Sequence, residues 1–293
     1  MEKTAIKVKK LSRKEFPPNL LEIPDAPEEL QIIGELPDHN KYKYLTVVGS
    51  RAVTSYGRRV LNHLIEGLRG YPIVIVSGLA LGTDALAHKK ALEMALPTIA
   101  VPGSGLSKEV LYPKSHFSLA LEIVRSGGAL LSEFDFKQAA APWTFPKRNR
   151  IMAALSDAVL VIEAKEKSGT LITARLATEY NKELLVVPGD IFSDAVKGNL
   201  QFLKLGATPV TEPGDILDAL GLDGQPDAQT ASLHDLNLPE DELLVLNALD
   251  EAKSKDKLLE ASGLSVSKFN IAFSKLELKG LIKEELGKVF KNI

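Results

Sequence analysis

The feature that most constrains the fold is an alternation that begins at residue 43. Short, continuously apolar runs occupy Tyr44–Val48, Ile73–Val76, Thr98–Val101, Ala129–Leu131, Ala158–Ile162 and Leu184–Val187, each bounded by turn residues. Longer segments with helical apolar spacing separate them, near 57–69, 83–95, 115–125, 149–155, 171–180 and 198–205. β-branched runs alternating with amphipathic segments predict βαβ units. Strands that are apolar at consecutive positions predict a parallel sheet covered on both faces. The expected fold class is therefore α/β: a Rossmann-like, doubly wound, mostly parallel sheet over 43–221.

The flanking segments read differently. Residues 1–42 carry Pro17, Pro18, Pro24, Pro27 and Pro37, a density that resists helix and favours extended chain. They are expected to form an N-terminal arm with one edge strand near 30–33. Residues 222–238 hold Asp223, Gly224, Pro226, Asp227 and Gln229 with few large apolar side chains, and read as a linker. In 239–293, acids in a first turn (Glu240, Asp241, Glu242) open a helix. Further helices fit Lys255–Glu260 and Ser267–Lys279, with two short strands over 281–290. Three helices and a hairpin predict a small C-terminal winged-helix domain. Its recognition-helix position offers Ser267, Lys268, Asn270, Ser274, Lys275 and Lys279, opposed by Glu277, Glu284 and Glu285. Duplex reading and protein contact both remain open.

Composition serves mainly to exclude. A formal net charge of −2 argues against a protein that coats polyanions with its whole surface, while leaving room for a local basic groove. With no cysteine, disulfides, thiolate zinc sites and cysteine nucleophiles are excluded. His39, His63, His88, His116 and His234 are scattered without ligand spacing, so no metal and no cofactor is expected. No apolar run is long enough to span a bilayer. The N-terminal lysines are not followed by an apolar core segment. The expectation is a cytoplasmic protein without membrane association.

Ligands of doubly wound sheets bind outside the C-terminal ends of the strands. The loops there carry Gly49, Ser50 and Arg51; Ser77 and Gly78, leading to Asp84; Gly103 and Ser104; Glu133, leading to Trp143; and Lys167, Ser168 and Gly169. Each has a purely structural reading. Gly49 and Gly78 suit strand-to-helix turns, Ser168 suits an N-cap, and Asp84 complements a helix dipole. Gathered on one edge, they point to a ligand containing phosphate. The first loop, GSRAVTSYG, departs from the GxGxxG dinucleotide fingerprint, and GxxxxGK[ST] is absent.

Within 143–150, Trp143 and Phe145 precede Lys147, Arg148, Asn149 and Arg150. Cations at a helix start oppose the helix dipole and imply an anion nearby. With Arg51 and Lys167 they suit single-stranded nucleic acid, where cations track the backbone and stacking contributes about 1–3 kcal/mol per base. Which ring stacks is open, with Phe145 preferred for its spacing. Also open is whether one arginine turns inward to Glu133 or Asp135 and braces the other.

The motifs GSR at 49–51, SGLALGTDALAH at 77–88, PGSG with LYP at 102–113, LLSE at 130–133, FPKRNRIMAALSDAVLVIEA at 145–164, KSGTLITA at 167–174 and VPGD at 187–190 together resemble the DNA-processing protein family DprA, also called Smf. The resemblance covers 43–220 in order. It implies a non-catalytic domain that binds single-stranded DNA and protects it on entry. It also implies a homodimer formed through that domain, and loading of the RecA recombinase during natural transformation. By motif, Arg51 would contact phosphate and Phe145 would stack on or abut a base. Arg148, Asn149 and Arg150 would line the pocket, with Lys167, Ser168 and Gly169 as its other wall. Two departures stand out. The stretch ahead of residue 43 is too short for the helical domain many members carry, so that domain's function is expected to be missing. Thr83 replaces the usual isoleucine, a change expected to be minor.

Two other readings compete. A nucleotide-processing hydrolase of related fold would use a PGGxGT loop, whereas the corresponding stretch here runs Ser126-Gly127-Gly128-Ala129-Leu130-Leu131-Ser132-Glu133. A nucleotide-sensing winged-helix regulator would not need the basic-aromatic stretch.

Overall fold

The computed structural model describes residues 8–222, 239–249, 253–279, 281–285 and 287–291. They divide into two compact units, one within Met1–Gln225 and one within Pro226–Ile293. Apart from Leu222, the linker expected at 222–238 lies outside the described residues.

In the first unit the arm supplies β1 (Lys9–Ser12), α1 (Pro18–Leu21) and β2 (Glu29–Gly34). The regular part follows as β3 (Lys43–Val48), α2 (Ser55–Glu66), β4 (Ile73–Ser77), α3 (Thr83–Glu93), β5 (Thr98–Ala100), α4 (Phe117–Arg125) and β6 (Ala129–Ser132). After these come α5 (Thr144–Leu155), β7 (Ala158–Val161), α6 (Thr170–Glu179), β8 (Glu183–Val186), α7 (Lys197–Lys204), β9 (Thr208–Pro209) and α8 (Pro213–Leu220). One sheet takes them in the order β1-β2-β6-β5-β4-β3-β7-β8-β9. From β6 to β9 the pairings are parallel, while β1–β2 and β2–β6 are antiparallel. This is the doubly wound, mostly parallel sheet of the α/β class.

The continuous apolar runs are explained by two covered faces. Along β3, Tyr44 and Val48 join one core cluster while Leu45 and Val47 join another. The same two-residue alternation holds along β4 and β7. The first cluster takes Ile151 and Leu155 of α5, Ala174 of α6 and Phe202 of α7. The second takes Leu61 and Leu64 of α2, Ala91 of α3 and Ile216 of α8. Helices cover both faces, which is why the strands are apolar at nearly every position; buried polar exceptions such as Thr46 and Ser77 are hydrogen-bonded to backbone carbonyls.

Two expectations about the elements change. The arm's strand is not at the edge: β2 pairs with β6 on one side and β1 on the other, and Leu30, Ile32 and Ile33 are buried. The arm is also anchored, with Phe16, Leu20 and Ile23 in the first cluster. Second, α5 starts at Thr144 rather than near 149. Pro146 does not prevent this, because the first turn of a helix has no intrahelical acceptors for its N–H groups.

The second unit contains α9 (Glu240–Ala248), α10 (Lys255–Ser262), α11 (Val266–Leu278) and an antiparallel pair, β10 (Ile282–Glu285) with β11 (Lys288–Lys291). Val245, Leu246, Leu258, Phe269, Phe273, Leu276 and Val289 form its core. Two lysines of the expected recognition stretch are already paired within the unit. Lys279 reaches buried Glu242 at 2.6 Å, and Lys268 lies 3.6 Å from Asp241.

Candidate nucleic-acid interface

Strand order reverses between β3 and β7, which places the crevice where such sheets take ligands between the loops that follow them. Side chains of the chain itself close that crevice. The Thr170 hydroxyl donates to the Gly49 carbonyl at 3.0 Å. Glu163, only 1% exposed, accepts the Thr54 N–H at 2.9 Å and the Thr54 hydroxyl. The Thr54 hydroxyl oxygen in turn accepts Gly57 N–H, capping α2. A Cβ on Gly57 would stand 2.5 Å from the Glu163 carboxyl carbon. The anion position at the start of α2 is therefore filled by a carboxylate of the protein. Glu163 is not among the residues expected at the site; its signal in the sequence is an acid closing an apolar run, Val159-Leu160-Val161-Ile162.

The next loop is built around a buried charge pair. Arg148, 5% exposed, donates from Nη1 to the carbonyls of Gly78, at 2.5 Å, and Val101. Asp84 accepts the N–H of Gly78 at 3.1 Å and of Ala80 at 3.3 Å. Burial pushes the Asp84 carboxyl up, and Arg148 with those two amides opposes that. Burial likewise lowers Arg148, and Asp84 opposes it. Gly78 is needed for this arrangement, since a Cβ there would lie 2.5 Å from both the Arg148 guanidinium carbon and an Asp84 oxygen.

Arg150 also turns inward. It is 7% exposed and donates to Glu133 and, at 2.6 Å, to the Asp25 carbonyl. Its Nε lies 3.2 Å from the Asp25 carboxylate. It joins the arm to the loop after β6. Both arginines thus spend their guanidinium groups on internal partners. Asn149 is buried too, accepting from Arg148 Nε at 3.1 Å and reaching the Gly169 carbonyl at 3.5 Å. Arg148 and Asn149, expected in the pocket, are buried and brace the loops beside them; Arg150 braces the arm and also lines an open groove together with Lys147. Their helix positions face the Gly78 loop, the Gly169 loop and the arm.

Arg51, Lys147 and Lys167 remain exposed, and none enters an ion pair among the described residues. The guanidinium carbon of Arg51 lies 5.2 Å from the Phe145 ring centroid. Half-buried Phe145 leans on Gly103, where a Cβ would meet its Cδ1 at 2.6 Å. Tyr112 contacts it edge-on, centroid to centroid 5.8 Å. Thr144 fixes the same place, its hydroxyl donating to the Gly103 carbonyl at 2.6 Å. Trp143, 54% exposed, packs instead edge-on against Phe134. Lys147 rims an open groove of about 580 Å³ whose walls include Ile172, Leu176 and Tyr180.

The serines divide. Ser77 is buried and donates to the Val47 carbonyl at 2.7 Å, while buried Ser104 donates to the Gly105 carbonyl and accepts Tyr112 N–H. These two support the loops from below. Ser50 and Ser168 lie at the half-exposed surface, each accepting an N–H two residues on, from Ala52 and Thr170. Gly49 and Gly169 lie beside them at the surface. The edge thus offers solvent a planar cation on an aromatic ring, two further cations and exposed aromatic surface. Among the described residues no group of three or more acids or histidines could hold a metal, and no helix is long and apolar enough to cross a membrane.

Residues 7–221 match the protein family described as DNA recombination-mediator protein A. Protein Smf of Escherichia coli (strain K12) is 40% identical over 274 residues, spanning 91% of this chain and 72% of that protein. DNA processing protein DprA of Streptococcus pneumoniae is 40% identical over 202 residues, 69% of this chain and 70% of that one. The X-ray structure of the S. pneumoniae protein superposes with a TM-score of 0.67 at 38% identity, covering 72% of this chain and 74% of that chain. DNA processing protein A of Helicobacter pylori, solved for its single-stranded DNA binding mode, gives a TM-score of 0.67 at 28% identity over 75% of this chain and 99% of that one.

Proposed function

The chain belongs to the DNA recombination-mediator protein A family, and on that premise we propose that it binds single-stranded DNA along the edge formed by Arg51, Phe145, Lys147 and Lys167. The observation that carries this is the Arg51–Phe145 contact. A guanidinium laid on a ring offers a charge to a phosphate and an aromatic environment to its base in one place, as single-strand sites require. The Helicobacter pylori relative, described for its single-stranded DNA binding mode, supports the same reading. Glu163 argues against a mononucleotide in the switch-point crevice, because its carboxylate occupies the start of α2. The protein acts without catalysis on this reading, through binding alone.

The finer role is protection of incoming strands and loading of RecA during natural transformation, by a homodimer formed through the first unit. Exposed Ile191, Phe192 and Leu205 on that unit are apolar surface of the kind that a second copy would cover. The second unit, with its helix-helix-helix-hairpin order, is read as a winged helix. The pairing of Lys268 and Lys279 with acids of α9 favours protein contact over duplex reading.

The test is binding to labelled oligo-dT and to duplex across salt, with sedimentation for the dimer and RecA filament formation on coated strands for loading. Preference for oligo-dT with affinity falling as salt rises is expected. Stronger duplex binding, a flat salt dependence, or turnover of a mononucleotide overturns the reading.

A further inference from the structure

Of the two rings in contact beside Arg51, Tyr112 is the freer, at 43% exposed against half-buried Phe145. Phe145 is half-buried, with the Arg51 guanidinium near one side, Gly103 against its Cδ1 and Tyr112 at its edge. A base could lie on Phe145 only where these neighbours leave room. Tyr112 is 43% exposed. Its backbone is fixed: the N–H donates to buried Ser104 Oγ at 3.2 Å, and the preceding Leu111 is 1% exposed. A ring held out from a fixed loop loses little conformational freedom when a planar group settles on it, which favours stacking. Both Arg51 and Tyr112 abut the Phe145 ring, so a phosphate held by Arg51 has its base close to the tyrosine.

We propose that Tyr112 is a base-stacking residue of the single-strand site and that Phe145 is the buttress that sets the spacing between Tyr112 and Arg51. The inference rests on the single-stranded DNA reading above. It divides the work at this edge between a solvent-facing ring and a packed one. It also predicts tolerance of base identity, because every base offers a π-face.

The test uses the full chain and fluorescence anisotropy with labelled oligo-dT and an abasic oligonucleotide of equal length. Tyr112→Ala should weaken oligo-dT binding about tenfold, within the range of single-base stacking, with an unchanged salt slope. Tyr112→Phe should recover the affinity the alanine loses. Tyr112→Leu keeps Phe145 covered but offers no π-face, so it should behave like the alanine; this separates stacking from packing if the alanine variant melts early. On the abasic strand the wild type and Tyr112→Ala should bind alike. Equal oligo-dT binding by wild type and Tyr112→Ala overturns the inference while leaving the single-strand reading standing. So does an alanine defect that persists undiminished on the abasic strand. A wild type that fails to bind oligo-dT overturns both.

Discussion

The guanidinium carbon of Arg51 stands 5.2 Å from the centroid of the Phe145 ring. Arg51 lies in the loop that follows β3, and Phe145 in the first turn of α5, the helix that leads from β6 into β7 beside β3. The contact holds an exposed, unpaired cation in place at a stabilisation of about 0.5–1 kcal/mol. A ligand that takes the charge thus meets a side chain already partly ordered.

Replacing Arg51 with alanine should weaken oligo-dT binding and make the salt dependence shallower by about 0.7 in the log–log slope, the value for one phosphate contact on a single strand. Arg51→Lys keeps the charge but not the planar face on Phe145, so it should retain the slope and lose part of the affinity. Titrations at several salt concentrations check both.

Gly103→Ala should displace Phe145, because the new Cβ would lie 2.6 Å from its Cδ1. The overpacking costs about 1–3 kcal/mol and should lower oligo-dT affinity with it. In denaturant melts, the double variant Gly103→Ala/Phe145→Ala should be less destabilised than the sum of the single variants, since removing the ring removes the clash.

Arg150→Met should lower stability by about 3 kcal/mol, the lower end for breaking a buried ion pair, by leaving Glu133 without its cation. The folded variant should keep the wild-type salt slope, because Arg150 spends its donors on Glu133 and Asp25. Urea melts and salt titrations of one preparation measure both; a slope reduced by one charge would move Arg150 back into the contact set.

His88 should make the protein acid-sensitive. Its Nδ1 lies 2.7 Å from the Thr98 hydroxyl, whose proton goes to the Ile75 carbonyl. Nδ1 must therefore be the donor, and burial keeps the ring neutral. Burial pushes the imidazole down to about 3. An unfolded histidine titrates near 6.5, so the unfolded state binds the extra proton between those values. Stability from this group is full above about pH 6.5 and is lost as pH falls, by up to about 1.4 kcal/mol per unit. Melts from pH 7 to pH 4 should show a shallower loss for His88→Asn than for wild type; Asp84, common to both, cancels in the comparison.

What the sequence alone determined was the alternation of apolar runs and helical segments. From it followed the doubly wound sheet, its covered faces and the edge at which glycine, serine and cations gather. These follow from periodicity, which each stretch of chain carries by itself. That Arg51, Lys147 and Lys167 fall in the connections beyond strand ends was legible in the same way, but not which of the cations there face solvent. What only the tertiary structure decided was the direction of neighbouring side chains. Lys147 and Arg148 are adjacent, yet one faces solvent and the other is buried against carbonyls of Gly78 and Val101. Arg150 is satisfied by Asp25, far back in the arm, and by Glu133. Glu163 fills the start of α2 from the end of β7, and Tyr112 reaches Phe145 from another loop. Charge and ring type are properties of a residue, but its partner is a property of what packs beside it, and those neighbours come from distant parts of the chain.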